Sequence, residues 1–145
     1  MRARYARVDG TPSAGGLGAA GSLTLLVGLW AAISPWVVHF ARTNPNLQTN
    51  NLIIGIALAG LGLVFTLAPE RVAQLAPVVA AIGVWMIISP WVVTLGHRPT
   101  TGMIWNNVLI GAVCCALGLA AMGMGMTGRR GRAAPSSPVT PTTTQ

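Results

Sequence analysis

The sequence predicts an all-α membrane protein: four transmembrane helices arranged as two parallel helical-hairpin repeats. Three observations carry this reading. Charged residues make up only 8% of the 145-residue chain. They fall so that four stretches, 10–41, 43–69, 72–97 and 99–128, hold no Asp, Glu, Lys or Arg. A helix of about 20 apolar residues crosses a hydrocarbon core of about 30 Å, so each stretch holds one span and is too short for two. Finally, the chain repeats itself. At an offset of 55, eight of the eleven positions from Gly28 to Val38 are identical, among them Trp30/Trp85 and Ser34-Pro35-Trp36/Ser89-Pro90-Trp91. At an offset of 56, Asn50-Asn51 returns as Asn106-Asn107, and Ile54, Gly55, Leu61, Gly62 and Leu63 return as Ile110, Gly111, Leu117, Gly118 and Leu119. A unit of about 55 residues is used twice.

The elements follow in order. Residues 1–16 form an N-terminal tail carrying Arg2, Arg4 and Arg7. Residues 17–68 form the first repeat, with spans expected near Leu17–Phe40 and Asn50–Ala68. The first span follows basic residues, as a signal peptide does, but its repeat partner is internal and cannot be a cleaved leader. Residues 69–74 form a connecting loop, where Glu70 suits the positive end of a helix dipole. Residues 75–126 form the second repeat, with spans near Leu75–Leu95 and Ile104–Met124. The remainder, 127–145, begins with arginines and ends in Pro, Ser and Thr without an apolar face, which predicts a disordered tail.

Charge sets the expected orientation. The nine basic residues are all Arg. Seven fall on the side of the termini and the central loop; Arg42 and Arg98 fall on the other. The positive-inside rule then places both termini in the cytoplasm, with the loops at 39–49 and 96–103 outside. The net charge of +7 is accounted for by topology and anionic headgroups, so no nucleic-acid partner is expected.

Two motifs carry the polar chemistry. Pro35 and Pro90 remove the hydrogen bonds that would reach the carbonyls of Ala31 and Met86. Hydrocarbon cannot replace them. Either the freed carbonyls are met within a continuous helix, by the Ser34 and Ser89 hydroxyls bonding back or by amide donors of the asparagines that open the returning helices, or the serines cap new short helices with Pro at the first position. Both routes predict a broken or kinked helix. Trp36 and Trp91 sit where indoles favour the interface. Asn50-Asn51 and Asn106-Asn107 open the returning helices at the same depth and carry amide donors. Two matching polar clusters are expected, one per repeat. Gly55 and Gly62, like Gly111 and Gly118, share a helical face and predict close backbone packing of the second span on the first and the fourth on the third.

These residues resemble the SPW repeat family of small bacterial and archaeal membrane proteins, whose defining tripeptide lies in the first of two helices per repeat. The resemblance covers about Leu17 to Ala121. It implies a membrane fold with Ser34, Pro35, Trp36, Ser89, Pro90 and Trp91 as the motif residues, and it implies no catalytic mechanism.

No catalytic, cofactor-binding or metal set is expected, and no cofactor. The only acidic residues, Asp9 and Glu70, lie outside the spans, which argues against a proton-coupled pump. His39 and His97 are not repeat equivalents, as a bis-histidine haem site across the bundle would favour. Cys114-Cys115 lacks metal or redox spacing; Cys115 with Met122 and Met126 is the one conceivable soft-metal set. The favoured role is structural or accessory, as a homo-oligomer or a small subunit of a larger membrane complex, with the lipid bilayer as its other partner. The alternatives are a binding or transport protein for a lipid, quinone or small neutral solute held between the hairpins, and a haem- or copper-carrying subunit of a membrane oxidoreductase.

Overall fold

The structure is a computed structural model that describes residues 12–94, 96 and 98–132, with side chains from 15 to 126 apart from 95 and 97. The two charged tails, including Arg2, Arg4, Arg7 and Asp9, therefore lie outside the described side chains, as does His97. Among the described residues the chain is all helical. It runs α1 (Pro12–Val37), α2 (Pro45–Leu67), a 3₁₀ turn (Pro69–Arg71), α3 (Val72–Val93) and α4 (Thr101–Arg132). Each long helix contains a span apolar enough to cross a membrane: Gly15–Val37, Pro45–Leu67, Pro69–Val93 and Thr101–Met126.

The helix ends differ from the expected ones for local reasons. Hydropathy marks where a chain becomes apolar, whereas helices start where the backbone allows. α2 begins five residues early because Pro45 occupies its first turn, a position where a missing N–H costs nothing. α1 stops at Val37, not Phe40. His39 there adopts the left-handed conformation (φ 64°), and the amides of Phe40 and Ala41 both donate to the carbonyl of Pro35 at 3.0 Å. This is a helix-terminating arrangement of the kind that usually employs glycine. Neither Pro35 nor Pro90 breaks its helix: α1 and α3 run through them and end within three residues.

The helices pack as two intimate pairs, α1 on α2 and α3 on α4, joined by lighter contacts of α1 with α4 and α2 with α3. Apolar surface gains little by leaving lipid for protein, so association inside a membrane depends on close packing and hydrogen bonds. The sequence supplies the first of these through glycine. A side chain on Gly28 would collide with the backbone of Ala59 and Leu58, and one on Gly55 with the backbone of Ala32. Gly62 faces the backbone of Leu25 in the same way. In the second pair, a methyl on Gly83 would meet the Cys115 amide nitrogen at 2.7 Å, and Gly111 and Gly118 abut Gly83 and Ala80. Gly55, Gly62, Gly111 and Gly118 thus all face a partner backbone. Gly21, Gly28 and Gly83 do the same from the opposing helices.

The buried core is built of modest side chains, including Ala31, Leu58, Ala76, Val79, Met86, Cys114 and Ala121, with Phe65 towards one end. A second cluster closes the opposite end, where Phe40 and Leu47 pack on Met103. Large apolar residues such as Leu26, Ile53, Ile56, Trp105 and Leu109 point outwards. In water that surface would be a liability; in a bilayer it is the solvated face.

Candidate functional site

The one polar assembly inside the described bundle lies about 9 Å down from the starts of α2 and α4, six residues into each at a rise of about 1.5 Å per residue. It begins with the prolines. Pro35 cannot donate to Ala31, and the Ser34 hydroxyl donates to that carbonyl instead, at 3.0 Å. Ser89 does the same for Met86, also at 3.0 Å. Both serines are fully buried. Of the two routes open from the sequence, the helix is therefore mended from within, and no new short helix is capped.

The asparagines behave differently from expectation. They do not form one cluster per repeat. Asn51 and Asn107 are fully buried, and Asn51 Nδ2 donates directly to Asn107 Oδ1 at 2.7 Å. This bond joins α2 to α4, diagonal members of the bundle, and so crosses the pseudo-twofold axis that relates the repeats. Asn50 Nδ2 donates to Asn51 Oδ1 at 3.3 Å, and Asn106 Nδ2 to Asn107 Oδ1 at 3.4 Å. From the other repeat, Trp85 Nε1 donates to Asn50 Oδ1 at 3.0 Å. Its counterpart Trp30 Nε1 donates to Asn106 Oδ1 at 3.2 Å. Asn106 Nδ2 also reaches Ser34 Oγ at 3.0 Å. The two expected clusters are one network, and its contacts between helices all join one repeat to the other.

The physical reason lies in how the hairpins are joined. Within each hairpin the glycines bring backbones so close that no room remains for polar side chains between them. The asparagines are turned to the face that looks across the axis, and there they meet each other. The symmetry is incomplete. Asn107 Oδ1 accepts twice, while Asn107 Nδ2 is buried with no hydrogen-bond partner. Two facing amides can exchange a bond each way and keep the halves equivalent; here only one of the two bonds is made, so the halves differ at this point.

Trp30 and Trp85 were not singled out as site residues from the sequence. Their signal was present, since each precedes its serine by four residues, on the same helical face, and is preserved in the duplication. Trp36 and Trp91, by contrast, stand outside the network with about half their surface exposed. The other candidates disperse. His39 is exposed in the loop after α1. Cys115 Sγ turns towards the Ala80 carbonyl at 3.5 Å, while Met122 and Met126 line a cleft with Ala73 and Gly125. Seven residues separate Cys115 from Met122, about 10 Å along the helix. No group of three or more His, Cys, Asp or Glu residues is gathered among the described residues.

Chemically, the assembly has hydroxyls, amides and indoles and no ionisable group. Its members can bond and orient; they hold no charge and offer no proton at neutral pH. Comparison with known proteins agrees with an integral membrane protein. The sequence model of the SPW repeat domain matches residues 18–121, while no curated protein and no solved structure matches the chain. Both Ser-Pro-Trp tripeptides and both asparagine pairs fall inside the matched region, and the chain belongs to the SPW repeat family.

Proposed function

We propose that this integral membrane protein has a structural or accessory role, as a homo-oligomer or as a small subunit of a larger complex in a bacterial plasma membrane, with both termini cytoplasmic. The observation that carries the reading is the direct 2.7 Å contact of Asn51 with Asn107. Where the hairpins meet at the axis, the space is filled by the protein's own amides, and the cleft that remains between α1 and α4 is lined almost wholly by apolar side chains such as Leu26, Leu109 and Val113. A polar group in hydrocarbon is costly without a partner, and here such groups partner one another and thereby fix how the hairpins meet. The orientation rests on the seven-to-two distribution of Arg.

Extraction of the native protein in mild detergent, followed by native mass spectrometry, tests this. A homo-oligomer or a stoichiometric protein partner is expected, with assembly that survives removal of small molecules. One observation favours a ligand-binding reading: the spare amide of Asn107. Co-purification of a quinone or small solute that is lost on Asn107→Leu substitution would overturn the structural role in favour of that one.

A further inference from the structure

At the end of the bundle where α1 hands over to α2, a concave pocket of about 590 Å³ is lined by Pro35, Trp36, His39, Ala41, Arg42 and Gln48. We propose that this pocket binds the phosphate of an anionic phospholipid headgroup, with the Arg42 guanidinium as its principal partner. The proposal is independent of the accessory role.

The chemistry of the lining is the first argument. Arg42 offers a planar fork of N–H donors that matches phosphate oxygens in pairs. Gln48 and His39 add further donors. Among the described residues no carboxylate competes. Glu70, the only described acidic side chain, follows the far end of α2, about 35 Å away along a 23-residue helix. Arg42 is exposed and lines the pocket.

Position is the second argument. Trp36 forms one wall, and an indole at a helix end marks the headgroup level of a bilayer. Ile33, about one turn before Trp36 on α1, is about half exposed and gives acyl chains an apolar flank on the membrane side of the pocket. A lipid can therefore enter from the membrane plane with its tails still in hydrocarbon. The size lies within the range usual for small-molecule sites.

Preorganisation is the third. The loop that carries His39 and Arg42 is closely pinned. Asn44 N and Thr43 N donate to the Phe40 carbonyl at 2.9 and 3.2 Å, and Asn44 Nδ2 reaches Met103 Sδ of α4 at 3.4 Å. Phe40 is buried against Leu47 and Met103. His39 holds a left-handed backbone that glycine would adopt with less strain, and strained positions of this kind concentrate at ligand-binding segments. The second connecting loop uses Gly96 for its left-handed residue (φ 79°), so among the described residues a histidine at the left-handed position is a feature of the first repeat.

The test uses the full chain in nanodiscs of equimolar phosphatidylglycerol and phosphatidylcholine, released for native mass spectrometry. Phosphatidylglycerol should be retained over phosphatidylcholine. Arg42→Gln should lower its occupancy about tenfold, as loss of a charge-assisted pair implies. Arg42→Lys should retain an intermediate occupancy, since it keeps the charge and loses the fork. Arg98→Gln, in the other loop on the same side, should leave retention unchanged. Thermal unfolding of each variant verifies that it is folded. Equal retention by wild type and Arg42→Gln would overturn the proposal, as would an equal loss in Arg98→Gln, which would point to diffuse attraction. Displacement of the lipid by millimolar inorganic phosphate would overturn the lipid assignment, making free phosphate the ligand.

Discussion

Replacing Asn51 and Asn107 by leucine, singly and together, examines the bond that crosses the axis. Asn107→Leu removes the acceptor for Asn51 Nδ2 and leaves that amide buried without a partner; Asn106 keeps its bond to Ser34. Asn51→Leu removes the donor to Asn107 and the acceptor for Asn50 Nδ2. A hydrogen bond between membrane helices contributes about 0.6 kcal/mol on average and up to about 1.7. Stranding a buried polar partner adds about 1 kcal/mol. Each single substitution should therefore destabilise by about 1–2 kcal/mol, to a similar extent in the two repeats. The double substitution removes both partners at once and strands neither across the axis, so it should cost less than the sum of the singles by about 1 kcal/mol. The assay is a double-mutant cycle on reversible unfolding in mixed micelles. Strict additivity, within about 0.4 kcal/mol, would refute the direct bond. A large effect in one repeat and none in the other would refute the view that both halves share it.

Further expectations concern packing, loops and orientation. Gly111→Leu should force α3 and α4 apart and lower the unfolding midpoint markedly, because the new side chain meets Gly83 and Ile87; full retention of stability and native mass would count against the close-packed face. His39→Gly should stabilise the fold by about 0.5 kcal/mol, as relief of about 1 kcal/mol of left-handed strain is partly offset by greater freedom of the unfolded chain; a lower melting temperature would contradict this. Trp85→Phe should remove the bond to Asn50 and cost about 0.6 kcal/mol, an effect that should largely vanish in an Asn50→Leu background. In a chain without Cys114 and Cys115, cysteines at Thr43 and Thr100 should be labelled from outside the cell; protection at both would invert the orientation.

The spans were legible because hydrocarbon leaves a one-dimensional record: charges are absent for as long as the helix is immersed. The duplication was legible because identity at a fixed offset needs no physics beyond counting. That the serine could mend its own Ser-Pro turn was legible from Pro35 and Ser34 alone, since bond and mender lie within one helical turn. The asparagine network was not legible in the same way. Periodicity says which residues share a face of a helix; it does not say which neighbour that face meets. Asn51 and Gly55 lie four residues apart and read as one stripe. In the folded bundle Gly55 meets α1 and Asn51 looks past it to α4. The left-handed turn at His39 was hidden too, because no glycine announced it.

The bond between Asn51 and Asn107 also imposes an order on the making of the protein. The glycine contacts of α1 and α2 lie between chain neighbours and can form as soon as both helices are in the membrane. The amides of Asn50 and Asn51 cannot be satisfied in their final way then, because Trp85 and Asn107 have not been synthesised. At about 5–20 residues per second, the 56 residues between the two asparagines take about 3–11 s to emerge. For that interval the nascent hairpin carries polar groups in search of a partner. Whatever waters, lipids or insertion machinery it borrows must be released when the second hairpin docks.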